Sequence, residues 1–151
     1  MRISEETRKR YGTPEGWNFG EERVVEWRDC DMLGHANHTA ALLWCETVRV
    51  HYCEAIGLGT PSFDRPSTMI AQITARYLGQ ISFADPVLVC CRTLRIGRTS
   101  ATVQYGVWTH GKQVFETELV LVLFDQKSGK TAAYPDDVRK LVKEIDPAAE
   151  V

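Results

Sequence analysis

Several arrangements that would announce a chemistry are missing from this chain. Its five cysteines, Cys30, Cys45, Cys53, Cys90 and Cys91, are odd in number, include an adjacent pair and form no Cys-x-x-Cys. A disulfide framework or a zinc site is therefore not expected; they read as reduced thiols packing as small apolar residues. No Gly-x-Ser-x-Gly elbow offers a serine nucleophile, and no glycine-rich fingerprint offers a dinucleotide cradle. The 18 Lys and Arg do not outnumber the 20 Asp and Glu, leaving a net charge of −2. This is not the basic balance of a nucleic-acid-binding domain. The longest clean apolar run, Leu119 to Phe124, is far too short to span a bilayer. The opening Met1 to Arg10 has no apolar stretch of the signal-peptide kind. The expectation is a cytoplasmic protein without membrane insertion.

What is present suits one folded unit. With 151 residues, 44% hydrophobic and 25% charged, the chain is long enough for a packed core and is expected to form a single domain over 1–151, its core about 22–142. Residues 1 to about 20 are polar and rich in glycine, and read as an irregular lead-in with room for a short helix. Residues 22–28 read as a first strand. From 39 to 56, Ala41, Cys45, Val48, Tyr52 and Ala55 recur at spacings of four and three, the stripe of an amphipathic helix, with Asn37, His38 or Thr39 as its cap and Gly57 as its stop. A loop follows to Pro66. Met69, Ala71, Ile73, Ala75 and Tyr77 then alternate with polar residues, as on a strand with one buried face. Further strands are expected over 86–96, 100–109 and 113–125, joined by tight turns at Gly97-Arg98-Thr99 and His110-Gly111-Lys112. The doubly apolar Leu119–Phe124 suits a central strand. A short strand after Lys130 and a helix over 136–144 close the chain. A lone helix cannot bury its stripe, so the sheet must curl around it, an α+β arrangement of five to six mostly antiparallel strands.

Between the first strand and the long helix lies Arg28-Asp29-Cys30-Asp31-Met32-Leu33-Gly34-His35-Ala36-Asn37-His38, with two carboxylates, a glycine, two histidines and an asparagine close together. A helix start presents N–H groups without helical partners, and these, with the helix dipole, stabilise negative charge developing on a carbonyl oxygen. Asp31 precedes that start. By residues alone it reads equally as a turn or capping aspartate and as a catalytic carboxylate. His35 and His38 read first as structural, since a metal would need more ligands than they supply. Glu46 and Arg49, three apart on the helix, read as an ion pair.

The pattern Asp31-x-x-Gly34-His35-x-Asn37, followed by the helix with Glu46 and Arg49, resembles the hotdog-fold acyl-CoA thioesterases, most closely the branch of 4-hydroxybenzoyl-CoA thioesterases and Tol-Pal-associated thioesterases. The resemblance runs from about Glu22 to Val142 and takes in Tyr77, Asp85-Pro86-Val87 and the turn Leu94 to Ser100. It implies a sheet wrapped around the long helix, and homodimers that pair again into homotetramers. The site would lie between subunits, with Asp31 as nucleophile or general base and the backbone N–H of His38 polarising the thioester carbonyl. His35, Asn37, Ala41 and Met69 would border the substrate, and Arg95, Arg98 and Thr99 would lie near the CoA nucleotide. No cofactor or metal is implied, the CoA thioester being substrate. Family members often carry Asn in place of His38 and an aromatic in place of Ala41, so Ala41 implies a roomier first helical turn. Two other readings stay open: a non-catalytic protein that binds acyl-CoA or acyl carrier protein, and a thioesterase acting on carrier-protein thioesters.

Overall fold

The computed structural model describes all 151 residues. Ser4 caps a short helix, α1 (Glu5–Tyr11), which Gly12 ends in the left-handed conformation. β1 (Phe19–Val24) pairs antiparallel with β3 (Pro86–Ile96) from Phe19 opposite Cys91 to Val24 opposite Pro86. The expected first strand over 22–28 thus lies earlier. Its ladder runs out at Pro86, which has no N–H to give, and Trp27–Asp29 turns into a 3-10 helix held by Glu26 and Asp29. α2 (His38–Ala55) buries Ala41, Cys45, Val48 and Tyr52 as the spacing predicts; Ala55 is exposed, and Trp44 and Arg49 are buried instead.

β2 (Ser67–Tyr77), β4 (Ser100–Thr109), β5 (Lys112–Asp125) and the two-residue β6 (Lys130–Thr131) complete a curled antiparallel sheet in the order β1-β3-β4-β5-β2, with β6 on β5. His110 and Gly111, both at positive φ, form the two-residue turn between β4 and β5, the turn type whose twist suits a hairpin. β5 is central, flanked by β4 and β2. α3 (Asp136–Ile145) closes the core with Val138, Val142 and Ile145.

The main core lies between α2 and the concave face of the sheet. A second, smaller core sits on the other face, where Tyr11 and Trp17 of the N-terminal segment cover Leu88, Cys90 and Trp108. Because β3 is covered on both sides, Val87 to Cys91 are all fully buried. Cys90 and Cys91 point to opposite faces, one into each core, and all five cysteines are free. Gly106 is required here: a Cβ would fall 2.2 Å from the Trp108 ring that lies across it.

β2 departs from expectation. It is paired on one side only, and its residues from Met69 to Tyr77 are exposed on both faces, because α2 packs chiefly over β1 and β3. A bulge between Ile70 and Gln72 leaves Ala71 unpaired. Directly paired residues share a face. Ile70, opposite Leu121, and Ile73, opposite Leu119, therefore face inward, while Met69, opposite Val122, faces outward.

Candidate active site

The loop between β1 and α2 is a small hairpin. The N–H of Asn37 donates to the Asp29 carbonyl at 2.7 Å and that of Asp31 to the His35 carbonyl at 2.9 Å, with Cys30 bridged to Ala36. At its tip the Gly34 N–H donates to the Asp31 carbonyl at 3.0 Å, with Gly34 at φ +78°, a conformation that disfavours any side chain. The Ala36 N–H donates to the Ile81 carbonyl at 2.7 Å, docking the hairpin onto the loop before β3. There Asp85 accepts from the Ser82 N–H and from His110 Nε2, both at 2.8 Å. Burial works against the Asp85 charge, but these hydrogen bonds outweigh it and hold the carboxyl below its usual range.

Asp31 sits at that tip. One carboxylate oxygen accepts from the Leu33 N–H at 2.8 Å, and the side chain is exposed beside the exposed Met32 and Leu33. No other part of the chain covers it. Asp29 is the tied member of the pair, as its neighbours show: it accepts from the Glu26 N–H at 2.9 Å and from Trp44 Nε1 at 3.4 Å.

Asn37 is the cap of α2. Its side-chain oxygen accepts the Thr39 N–H at 3.1 Å and its carbonyl accepts the Ala40 N–H at 2.9 Å. This cap does not use the N–H of His38, the first helical residue. The His38 carbonyl is fixed by the Tyr77 hydroxyl at 2.9 Å. Together His35, Asn37, His38, Ala41, Tyr77 and Gln80 border a cleft of about 150 Å³ at the helix start. His35 orders the hairpin through its main chain and also borders the cleft.

A larger groove of about 320 Å³ opens farther along α2, between that helix and β2. Leu42, Leu43, Ile70, Ile73 and Leu119 give it apolar walls, and Thr39, Glu46, Arg49, Tyr105 and Thr117 also border it. Ala41 borders the cleft rather than this groove. Met69 borders neither: the bulge turns it outward, where Gln126 meets its sulfur. Sequence reading missed Ile70, Tyr105 and Thr117, the first because the bulge inverts the alternation and the others because only the folded sheet brings β2, β4 and β5 together. The Glu46–Arg49 pair is present at 3.3 Å.

Arg95, Arg98 and Thr99 are not brought to the helix start. The β3–β4 turn lies at the level of Ser100, Val122 and Met69, whereas His38 sits over Tyr77. At the rise of a strand that is roughly 25 Å along the sheet within one protomer. Arg95 and Arg98 are exposed, and the Arg98 and Thr99 carbonyls hold Tyr134 and Leu123. No group of three or more His, Cys, Asp or Glu side chains is placed to hold a metal ion, and no helix is long and apolar enough to cross a membrane.

A curled antiparallel half-barrel wrapped on one long helix, with a ligand-sized groove beside the helix start, is the hotdog fold. The chain belongs to the thioesterase-like superfamily, whose family model matches residues 25–142. A solved thioesterase-superfamily protein of Jannaschia sp. CCS1 superposes over 100% of this chain and 97% of its own, with a TM-score of 0.87 at 24% identity. A thioesterase of Thermus thermophilus, solved with coenzyme A and Zn, is 27% identical and superposes over 89% of this chain and 98% of its own, with a TM-score of 0.77. The uncharacterized protein YsmA of Bacillus subtilis (strain 168) is 24% identical over 125 residues, 82% of this chain and 84% of that protein.

Proposed function

We propose that this protein is an acyl-CoA thioesterase, close to the 4-hydroxybenzoyl-CoA and Tol-Pal-associated branch, that works as a homodimer. The observation that carries the reading is the helix start itself. The His38 N–H is left out of the Asn37 cap, its carbonyl is pinned by Tyr77, and a hairpin places Asp31 two rungs from the helix. The N–H would receive the thioester oxygen, with the α2 dipole behind it, where negative charge grows as the carbonyl becomes tetrahedral. The Asp31 carboxylate would act in one of two ways. As a nucleophile it attacks the carbonyl carbon, expels the CoA thiolate and leaves a mixed anhydride that water opens. As a general base it takes a proton from the attacking water, and the proton leaves on the CoA thiol. The coenzyme A in the Thermus thermophilus relative supports a CoA ester as substrate, and the reaction needs no cofactor beyond it.

The bare edge of β2 supports the dimer. Ile70, Ile73 and Tyr77 are each about half exposed along it, and an apolar edge strand invites pairing. A second copy joined antiparallel there would extend the sheet, roof the groove and cover the Asp31 loop. The two-fold also reverses strand direction, so the partner's β3–β4 turn falls at the same end of the joined sheet as this protomer's His38. That is how Arg95, Arg98 and Thr99 would reach CoA phosphates, which arginine suits.

The deciding experiment is thiol release from a panel of acyl-CoAs by the wild-type protein and by Asp31→Ala. The variant is expected to keep its fold by circular dichroism and to lose at least about 100-fold in kcat, the scale of a lost acid–base group. Undiminished turnover by Asp31→Ala sinks the assignment. Single-turnover hydrolysis in ¹⁸O-water tests the nucleophilic role: label in the Asp31 carboxylate requires that the anhydride formed and was opened at the Asp31 carbon.

A further inference from the structure

Two residues other than glycine hold positive φ in this protein, Ala84 at +66° and His110 at +49°. Such backbone is costly for a residue with a side chain, persists where surrounding contacts impose it, and gathers at functional sites. The two stand at either end of one connection, and its middle is Asp85. Residues 81–83 run as a third strand beside the Asp31 hairpin. The Ala36 N–H donates to the Ile81 carbonyl at 2.7 Å, the Phe83 N–H donates to the Gly34 carbonyl at 3.3 Å, and Ser82 is bridged to His35 between them. In that pairing both main-chain groups of Ser82 point away from the hairpin, and Asp85 takes both. The Ser82 N–H donates to Asp85 Oδ2 at 2.8 Å, and the Ser82 carbonyl accepts from the Asp85 N–H at 3.1 Å. Ala84 lies inside the turn so closed. The other carboxylate oxygen, Oδ1, meets His110 Nε2 at 2.8 Å. An ionised carboxylate only accepts, so Nε2 carries the proton.

Histidine is not what the β4–β5 turn itself asks for. The first position of a two-residue hairpin turn is best filled by Asn or Asp, which tolerate positive φ. The turn is also anchored without the ring, since the Thr109 hydroxyl donates to the Pro86 carbonyl at 2.7 Å. What histidine adds is reach. Its ring extends from the turn to Asp85, and so ties the rung that carries the Asp31 hairpin to two strands of the sheet. We infer that His110 and Asp85 are positioning residues: acting through Ser82, they set where the Asp31 carboxylate stands relative to the start of α2. This rests on the thioesterase reading for the role of Asp31. Neither residue borders the cleft at the helix start or the groove beside it, so their effect on turnover passes through the hairpin. A reacting group displaced by about 1 Å can lose as much as 100-fold in rate.

Two substitutions of His110 set turn chemistry against reach. Asn suits the turn better, so His110→Asn should be at least as stable as the wild-type protein in urea unfolding. Its amide ends where the near ring nitrogen stands, and does not reach Asp85. Gln is the worse turn residue, but its amide nitrogen can take the place of Nε2 and donate. Turnover is read as thiol release from the acyl-CoA of the panel that the wild-type protein hydrolyses fastest. There His110→Asn should lower kcat at least about five-fold with KM held within about two-fold, and His110→Gln should recover most of the loss. A merely structural histidine predicts the reverse order, with Asn at or above the wild-type protein and Gln below it. Amide hydrogen exchange at Ala36 and Phe83 follows the hairpin without any turnover. Both amides should exchange at least about three-fold faster in His110→Asn and return toward the wild-type rate in His110→Gln. Full turnover by His110→Asn, or exchange unchanged at both amides, overturns the inference. If the wild-type protein releases thiol from no ester, exchange alone decides: a response at Ala36 and Phe83 keeps the brace, and the failure belongs to the thioesterase reading.

Discussion

Asp146 carries the heaviest single demand in the fold. It is buried, with one carboxylate oxygen accepting from the Tyr52 hydroxyl at 2.5 Å and the Thr93 N–H at 2.8 Å, and the other unpartnered. Burial lifts its carboxyl above the ordinary 3.8, against the pull of those two donors. A carboxyl raised by folding holds its proton more tightly in the native state than in the unfolded one. Its contribution is therefore most favourable below the unfolded value and is lost as pH rises through the folded value. Asp146→Asn keeps an acceptor for both donors and removes this loss, so its urea midpoint should gain on that of the wild-type protein as pH rises from about 3 to 7. Asp146→Ala strands the Thr93 N–H and leaves the Tyr52 hydroxyl only Thr93 Oγ1 at 2.7 Å, and should cost about 2 kcal/mol at neutral pH by the same measurement.

Among the elements, β2 decides what the protein can become. Replacing Ile70, which looks inward at the free edge, by Glu should leave the chain folded while shifting the proposed dimer to monomer in size-exclusion chromatography with light scattering. Turnover should fall with it if, as proposed, a second copy completes the site. The helix and the hairpins were legible in the sequence: the stripe of Ala41, Cys45, Val48 and Tyr52 needs only local spacing, and the turns at 97–99 and 110–111 only local chemistry. The hairpin around Asp31 was legible as a motif, but not the exposure of its carboxylate, which depends on what else reaches the loop tip. Neither the early end of β1 nor the bulge was legible, since each depends on the strand alongside: Pro86 in one case, the β5 register in the other. Arg49 stands far along the chain from Tyr105 and Thr117, and no pattern along the chain joins them.

At the scale of the whole molecule, two cores share one sheet. The outer one depends on the N-terminal segment, whose Trp17 packs edge-on to Trp108 at 4.9 Å between centroids and lies under Arg92 at 4.1 Å. Trp17→Ala should cost about 3 kcal/mol in urea unfolding, the lower end for an aromatic deleted from a core. It should also raise the binding of a hydrophobic dye as Leu88 and Trp108 lose their cover. The same segment occupies the outer face over β3 and β4, so two dimers pairing back to back would have to meet elsewhere, over the strip formed by β5 and β2.

Ala71 has a bearing on how relatives of this chain are compared. A bulge residue has no counterpart across the ladder, so the strand can gain or lose one there while the pairing on either side stays in step. Between two descendants that differ by that one residue, a gapless alignment through 69–72 would set a groove-lining side chain against one that faces solvent. Chain length at this edge is thus heritable information about the shape of the groove, written in no particular side chain.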